Sequence, residues 1–400
     1  MFNAWGHFLV RRRRAILIIF IFTTLAAGAV GSLSFSRLDS GGYSDPGSGS
    51  ALAGKYLSEN FHHADPPIIL LIDGEGLPLK SAAVINSAAR LEAQIGAESG
   101  VLRTLSYWSS GGAPALESSD HKAALLFIYT KNSDQKSVSE ISKNIQDKFD
   151  GKFESLRVYV SGGGVIAQAI NSKISKDLAL AESISVPITF ILLAFVFGAL
   201  AASAMPLVVG VSAILGSFFL IYLITLFTHV SIYALNLITG LGLGLGIDYA
   251  LLIVNRFREE LHLGKSVEEA VVATLNSAGK TVFYSGLTVL VTMSSLILFP
   301  LPFLKSFGYA GISVVALAVA SALIPLPAIL AMAGKKIDKG VVRKSSITSG
   351  EDGRWASTAR IVMRRPLPIV FATLGILAIF SLPITNIGFA QVDARVLPRR

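Results

Sequence analysis

Seven stretches of about 20 residues carry almost no charge: 15–33, 184–202, 206–227, 231–254, 281–298, 308–331 and 367–384. A helix rises ~1.5 Å per residue, so about 20 residues cross ~30 Å of hydrocarbon. Each stretch predicts a membrane-spanning helix. Between the first two lies residues 34–183, which read as a water-soluble domain. It opens with a Gly/Ser-rich linker over 41–48 and then changes period. Residues 67–73 (PIILLID) read as a buried strand, 80–96 as an amphipathic helix and 101–105 as a strand; 123–129, 138–149 and 157–160 repeat strand, helix, strand. That pattern predicts a ferredoxin-like α+β sandwich. A helix over 165–180 is expected to run directly into the second span.

Charge orients the spans. With the N-terminus placed in the cytoplasm, the inner segments hold Arg11 to Arg14, four basic residues between Arg256 and Lys280, and nine between Lys335 and Arg365. The short outer loops hold only Lys305, Arg395, Arg399 and Arg400 lie in the outer tail, and residues 34–178 balance 14 basic against 16 acidic side chains. This is the positive-inside distribution. The expected organisation is a cytoplasmic start and first span (1–33), an extracytoplasmic domain (34–183) and a bundle of five spans (184–331). A cytoplasmic amphipathic segment (256–280) interrupts the bundle. A polar linker (332–366) and a seventh span opening a further segment (367–400) complete it. Phe257, Leu261, Val267, Ala270, Val271 and Leu275 recur at helical spacing and predict an interfacial helix on the inner leaflet. The linker 335–354 is polar and basic, as flexible connections are.

The start of the chain, with its arginines and Ala27-Gly28-Ala29, resembles a cleavable signal, but its apolar run is longer than that requires. An imperfect repeat with a period near 350 residues also argues for retention: Trp5, Arg11 to Arg14, an apolar span and Leu38-Asp39 recur as Trp355, Arg364-Arg365, an apolar span and Val392-Asp393. The chain therefore reads as one half of a longer arrangement followed by the first helix of the next half.

Composition agrees. The chain is 52% hydrophobic and 15% charged, with a mean hydropathy of +0.61, which excludes a soluble or disordered chain. There are no cysteines, so thiolate metal sites and thiol nucleophiles are excluded. The net charge of +9 raises nucleic-acid binding, but the basic residues sit where topology needs them, and no nucleic-acid partner is expected.

Little in the sequence carries catalytic chemistry. Residues 161–165 (SGGGV) lack the Lys-Ser/Thr of a phosphate-binding loop, and His62, His63 and Asp65 lack a ligand at helical spacing. No enzyme activity, cofactor or metal is expected. Gly240, Gly242, Gly244 and Gly246 alternate inside the fourth span, where each glycine costs about 1 kcal/mol relative to alanine. Gly242 and Gly246, four apart, are expected to let another helix approach closely. Asp248 is the one acid well inside a span, about 12 Å of helix from Arg256. Inserting an acid there costs about 2.5–3.5 kcal/mol, so the intramembrane carboxyl is a functional-site hypothesis. Low dielectric favours the neutral form of an acid, which suits such a group to taking up and releasing a proton. Tyr249 follows it, turned about 100° away, and Ser285 and Thr288 on the fifth span are possible polar neighbours.

Residues 241–261 (LGLGLGIDYALLIVNRFREEL) join a glycine-rich span, Asp-Tyr and Asn-Arg-Phe-Arg-Glu-Glu. They resemble the signature of the MmpL family, a branch of the RND transporters, and 299–309 (FPLPFLKSFGY) is similar to that family's segment between its fifth and sixth helices. The resemblance covers essentially the whole chain. It implies a proton-motive-force-driven permease of the cell membrane, moving lipids or other hydrophobic compounds toward the envelope. It also implies porter domains outside the membrane and an Asp-Tyr proton relay, carried over here to Asp248 and Tyr249 alone. Relatives of this type have two halves; the second Asp-Tyr has no counterpart here, so the relay requires further chain, a second half-length chain or a homo-oligomer. The alternatives are a lipid-sensing or scaffold membrane module and an accessory subunit of protein export.

Overall fold

The computed structural model describes residues 2–39, 42, 45–61, 65–132, 135–340 and 354–386. The chain divides into two units, residues 1–345 and 346–400. His62, His63, Val392, Asp393 and most of the linker lie outside the described residues.

The first unit begins with α1 (Phe2–Arg11) and α2 (Arg13–Gly31). Arg12 breaks between them at φ −102°, ψ 13°. After α3 (Gly49–Phe61) come the elements of the outer domain: β1 (Ile68–Asp73), α4 (Ala82–Gly96), β2 (Val101–Ser106), β3 (Ala123–Thr130), α5 (Gln135–Phe149), β4 (Gly151–Phe153) and β5 (Leu156–Ser161). The sheet runs β2-β3-β1-β5-β4, with every pair antiparallel. Two interleaved strand-helix-strand units give this ferredoxin-like order, and β4 adds a short edge hairpin. Alternation in β1 turns Ile68, Leu70 and Ile72 inward, against Val84, Leu91 and Ile95 of α4 and Ile145 of α5.

Acidic side chains tie the outer domain together. Glu92 accepts hydrogen bonds from the hydroxyls of Thr104, Ser106 and Ser109 at 2.7–3.0 Å. Glu98 accepts from Lys148 and Asn144; Lys148, then Asn144, hold its carboxyl below the usual glutamate range. Glu154 is likewise lowered by Arg90, which grips it through Nε and Nη2.

The bundle begins with α6 (Gly163–Phe197), a continuous helix of 35 residues leaving the outer domain. It is followed by α7 (Leu200–Thr225), α8 (Ala234–His262), α9 (Val267–Thr274), α10 (Lys280–Ser294), α11 (Pro302–Leu323) and α12 (Pro325–Ala333). Helices α7, α8 and α11 pack on one another, with α2 and α6 against α7 and α10 against α11. The second unit holds α13 (Arg354–Arg364) and α14 (Pro366–Ser381). Its short helix ending in arginine, broken at Arg365 before an apolar helix, repeats the α1–α2 pattern. Among the described residues, seven helical stretches are long and apolar enough to cross a membrane.

Two readings need correction. The second span does not reach residue 202: α6 ends at Gly198, which takes the left-handed φ of +69°, and α7 starts at Leu200. The turn is apolar on both sides, so hydropathy passes over it. Nor do residues 256–280 form one interfacial helix. Arg256, paired with Glu259 and Glu260, helps carry α8 on to His262. Gly264 then turns at φ +85°, and Ser266 and Glu269 form a capping box that starts α9. A π-helical turn, Leu275–Gly279, leads into α10. Phe257, Ala270, Val271 and Leu275 are buried in the protein's own core, not against lipid.

Candidate functional site

Asp248 is the fifteenth of the 29 residues of α8, so about 21 Å of helix lies on either side of it. The four alternating glycines divide into two pairs around it. A methyl group on Gly246 would stand 2.5 Å from the Gly210 Cα of α7, and one on Gly242 2.5 Å from Ile214 Cγ1. These glycines allow the α7–α8 backbones to touch, as small residues do between membrane helices. Gly240 and Gly244 meet nothing within 4 Å. They belong to an exposed ridge of α8 at steps of four residues, Asn236, Gly240, Gly244, Asp248 and Leu252.

The Asp248 carboxyl points out along that ridge and has no hydrogen bond or ion pair among the described residues. Tyr249 turns the other way. It is 3% exposed, and its hydroxyl makes no hydrogen bond in this conformation. The oxygen lies 3.7 Å from where a Cβ on Gly286 of α10 would be, with Ser285 facing it. Of the two neighbours named from sequence, the structure therefore brings Ser285 to Tyr249. Thr288 is exposed, and its hydroxyl donates to the Tyr284 carbonyl of its own helix at 3.0 Å. The exposed side of α10 repeats hydroxyls at steps of four and three, Thr281, Ser285, Thr288 and Thr292, and Ser295 continues them in the turn that follows.

Three further residues take part in this arrangement. Gly286 is filled to the backbone, since a side chain there would collide with Val319 of α11; Gly210 supplies the other half of the α7–α8 contact. Both are lone glycines in apolar runs, a signal for close backbone approach. Arg258, 6% exposed, donates from Nε to Asp338 at 2.7 Å and from Nη1 to the Phe197 carbonyl at 3.0 Å. It thus ties the ends of α8 and α6 together. Its position in a charged stretch gives no sign of burial.

Seven apolar helices among the described residues and a ferredoxin-like domain define a polytopic α-helical membrane protein, with a carboxyl on an open ridge at mid-length of α8. Comparison with known proteins agrees: residues 42–369 match the MMPL family, and the chain belongs to it. It is 32% identical to membrane protein SCO6666 of Streptomyces coelicolor over 97% of this chain and 54% of that protein. It is 26% identical to the trehalose monomycolate exporter MmpL3 of Mycobacterium tuberculosis over the whole of this chain and 45% of that protein. It is also 35% identical to the mycolic acid-containing lipids exporter MmpL11 of Mycolicibacterium smegmatis, over 58% of this chain and 24% of that protein. The chain spans about half the length of SCO6666 and MmpL3.

Proposed function

We propose that this chain supplies half of a proton-motive-force-driven, RND-type permease that exports lipids or other hydrophobic compounds across the cytoplasmic membrane toward the envelope. The observation that carries the reading is the Asp248 carboxyl, at mid-length of α8 and without a partner among the described residues, on a ridge thinned by Gly240 and Gly244. An acid at such depth is costly unless it works or meets a partner. The small-residue ridge suits the approach of a helix from a second half-bundle, in the same polypeptide or in another copy. The names of MmpL3 and MmpL11 support a lipid as cargo, and the basic residues around Arg11 to Arg14 support a cytoplasmic N-terminus.

In this mechanism Asp248 takes up a proton from the envelope side, and its neutralisation lets the ridge pack against the opposing helix. Release to the cytoplasm reverses the step. Each proton crossing 100 mV makes about 2.3 kcal/mol available, and rocking of one half against the other exposes the cargo alternately. Tyr249 and Ser285 give the proton a second oxygen pair on the α10 side. The decisive experiment measures efflux of a fluorescent lipid from proteoliposomes under an imposed pH gradient. Asp248→Asn keeps the shape and removes the titratable group, so gradient-driven efflux should fall to the protein-free background. Efflux that persists in Asp248→Asn would refute the relay, and lipid binding with no gradient-driven efflux in the parent chain would favour a lipid-sensing module.

A further inference from the structure

The charges that follow Asp248 on α8 are not all used in the same way. Arg256 pairs with Glu259 and Glu260, Lys265 with Glu260, and the His262 ring meets the Arg258 carbonyl one turn back. These contacts are local. The Arg258 guanidinium is buried and reaches other parts of the fold. Its Nε finds an acid 80 residues further along the chain, Asp338, and its Nη1 the Phe197 carbonyl, 61 residues before it. The same guanidinium stands 5.9 Å from the centre of the Phe197 ring.

Three segments therefore meet at one side chain. Phe197 is the last residue of α6, where a helix leaves its carbonyls without acceptor duty of its own. Asp338 closes the short turn after α12, and the chain just beyond it lies along the start of α7. There the Leu200 amide donates to the Gly340 carbonyl at 3.1 Å and the Ala201 amide to the Lys339 carbonyl at 3.4 Å, two donors that the first turn of a helix cannot satisfy itself. Gly340, at φ +76°, suits this strap, since a Cβ there would stand 3.1 Å from the Leu200 Cβ.

A buried ion pair adds little stability over well-packed apolar side chains. What Arg258 supplies is position. Helix α6 rests on α7, and α8 on α7 and α11; Arg258 adds a direct link from α8 to the last residue of α6. Away from that link both helices are continuous. From Arg258, α8 runs ~15 Å back to Asp248. From Phe197, α6 runs back to Gly163, just after β5 of the outer domain.

We propose that Arg258, held in place by Asp338, is a positioning residue that hands a displacement of α8 at Asp248 to α6 and thereby to the outer domain. The strap 338–340 keeps the first turn of α7 on the same post, so the α6–α7 turn follows α8. This rests on the reading of Asp248 as a proton site whose neutralisation moves α8, and adds the route by which that movement leaves the helix.

The chain has no cysteines, so paired spin labels can be introduced without removing any. Double electron–electron resonance on the full chain in nanodiscs reads two pairs at exposed positions. Leu263→Cys with Lys339→Cys spans the latch, and Leu102→Cys with Phe227→Cys spans the outer domain and the far end of α7. The first pair should give one narrow distance that broadens in Arg258→Gln and Asp338→Ala and stays narrow in Arg258→Lys. The second pair should shift when Asp248→Asn, which fixes the neutral form, is introduced into the parent or into Arg258→Lys. That response should be lost in Arg258→Gln. An arginine that only stabilised the fold would alter the resting distance and leave the response to Asp248→Asn intact. Should Arg258→Gln fail to fold, Asp338→Ala, which removes a partly exposed side chain, carries the same two expectations. An unchanged first pair in the latch variants, a retained response of the second pair there, or no response in the parent would each overturn the proposal. Efflux decides the relay separately: efflux lost in Asp248→Asn with no shift of the second pair would leave the relay standing and remove this route, whereas efflux retained in Asp248→Asn would refute the relay itself.

Discussion

The outer domain and the middle of α8 treat their acids in opposite ways. In the outer domain Glu92 receives three hydroxyls, Glu98 an amide and an ammonium, and Glu154 a guanidinium. In the bundle Asp248 receives nothing from the described residues, although hydrocarbon punishes an unmatched acid more than water does. The first arrangement is that of acids retained for structure. An acid left open at mid-length of α8 beside glycines that meet nothing within 4 Å is the arrangement that the proposed relay requires.

The largest expected effect tests this contrast through the sign of a stability change. Asp248→Leu should stabilise the chain in micelles by about 2–3 kcal/mol, since an acid at a helix centre costs about that much. Glu92→Ala should destabilise the outer domain by about 1–3 kcal/mol, because three hydroxyls lose a charged acceptor. Thermal unfolding followed by circular dichroism reads both. A loss of stability in Asp248→Leu would mean that the carboxyl has a structural partner, and the contrast would collapse.

The glycines sharpen the same comparison. Gly246→Val forces α7 and α8 apart at Gly210 and should cost about 1–3 kcal/mol. Gly244→Ala adds a methyl where nothing lies within 4 Å and should stabilise the helix by up to ~1 kcal/mol, while slowing efflux because it thickens the ridge a second half must approach. Equal unfolding temperatures for the two variants would erase the distinction between packed and open faces. Tyr249→Phe sits between them: removing a buried hydroxyl with no hydrogen bond should leave stability unchanged or raise it by about 1 kcal/mol, with efflux reduced. Unaltered efflux in that variant would leave Tyr249 as packing alone.

Much of this could be read in the sequence, and the exceptions have physical causes. Spans and strands were legible because burial imposes a period, 3.6 on helices and 2 on strands, on residues that hydropathy separates well. The turn at Gly198 was not, because it joins two apolar helices and its left-handed φ leaves no polar mark. Helix α1 was hidden behind Arg11 to Arg14, which read as a topology signal. In α8 the depth of Asp248 followed from counting residues, but its direction did not. A single acid in an apolar run has no periodic companion to show which face it shares. Gly242 and Gly246 could be placed on one face because they are four apart. Gly286 and Arg258 had no such partner, one the single glycine of α10 and the other among charges.

The smallest effect concerns the satisfied side of the comparison. Lys148 and Asn144 hold the Glu98 carboxyl below the ordinary value of 4.5. A lowered pKa in the folded state contributes stability that is fully present above the unfolded value and is lost as pH falls through the folded one. The denaturant midpoint of the outer domain, followed by Trp108 fluorescence, should therefore hold steady from neutral pH to about pH 5 and decline below about pH 4. Glu98→Gln should lower the neutral-pH midpoint slightly and flatten that decline. A residual slope should remain from Glu154 and Asp120, whose carboxyls are also lowered, by Arg90 and by Ser118 respectively. If Glu98→Gln left the acid limb unchanged, the Lys148 and Asn144 contacts would not stabilise the domain, and Glu98 would no longer stand as the structural counterpart of Asp248.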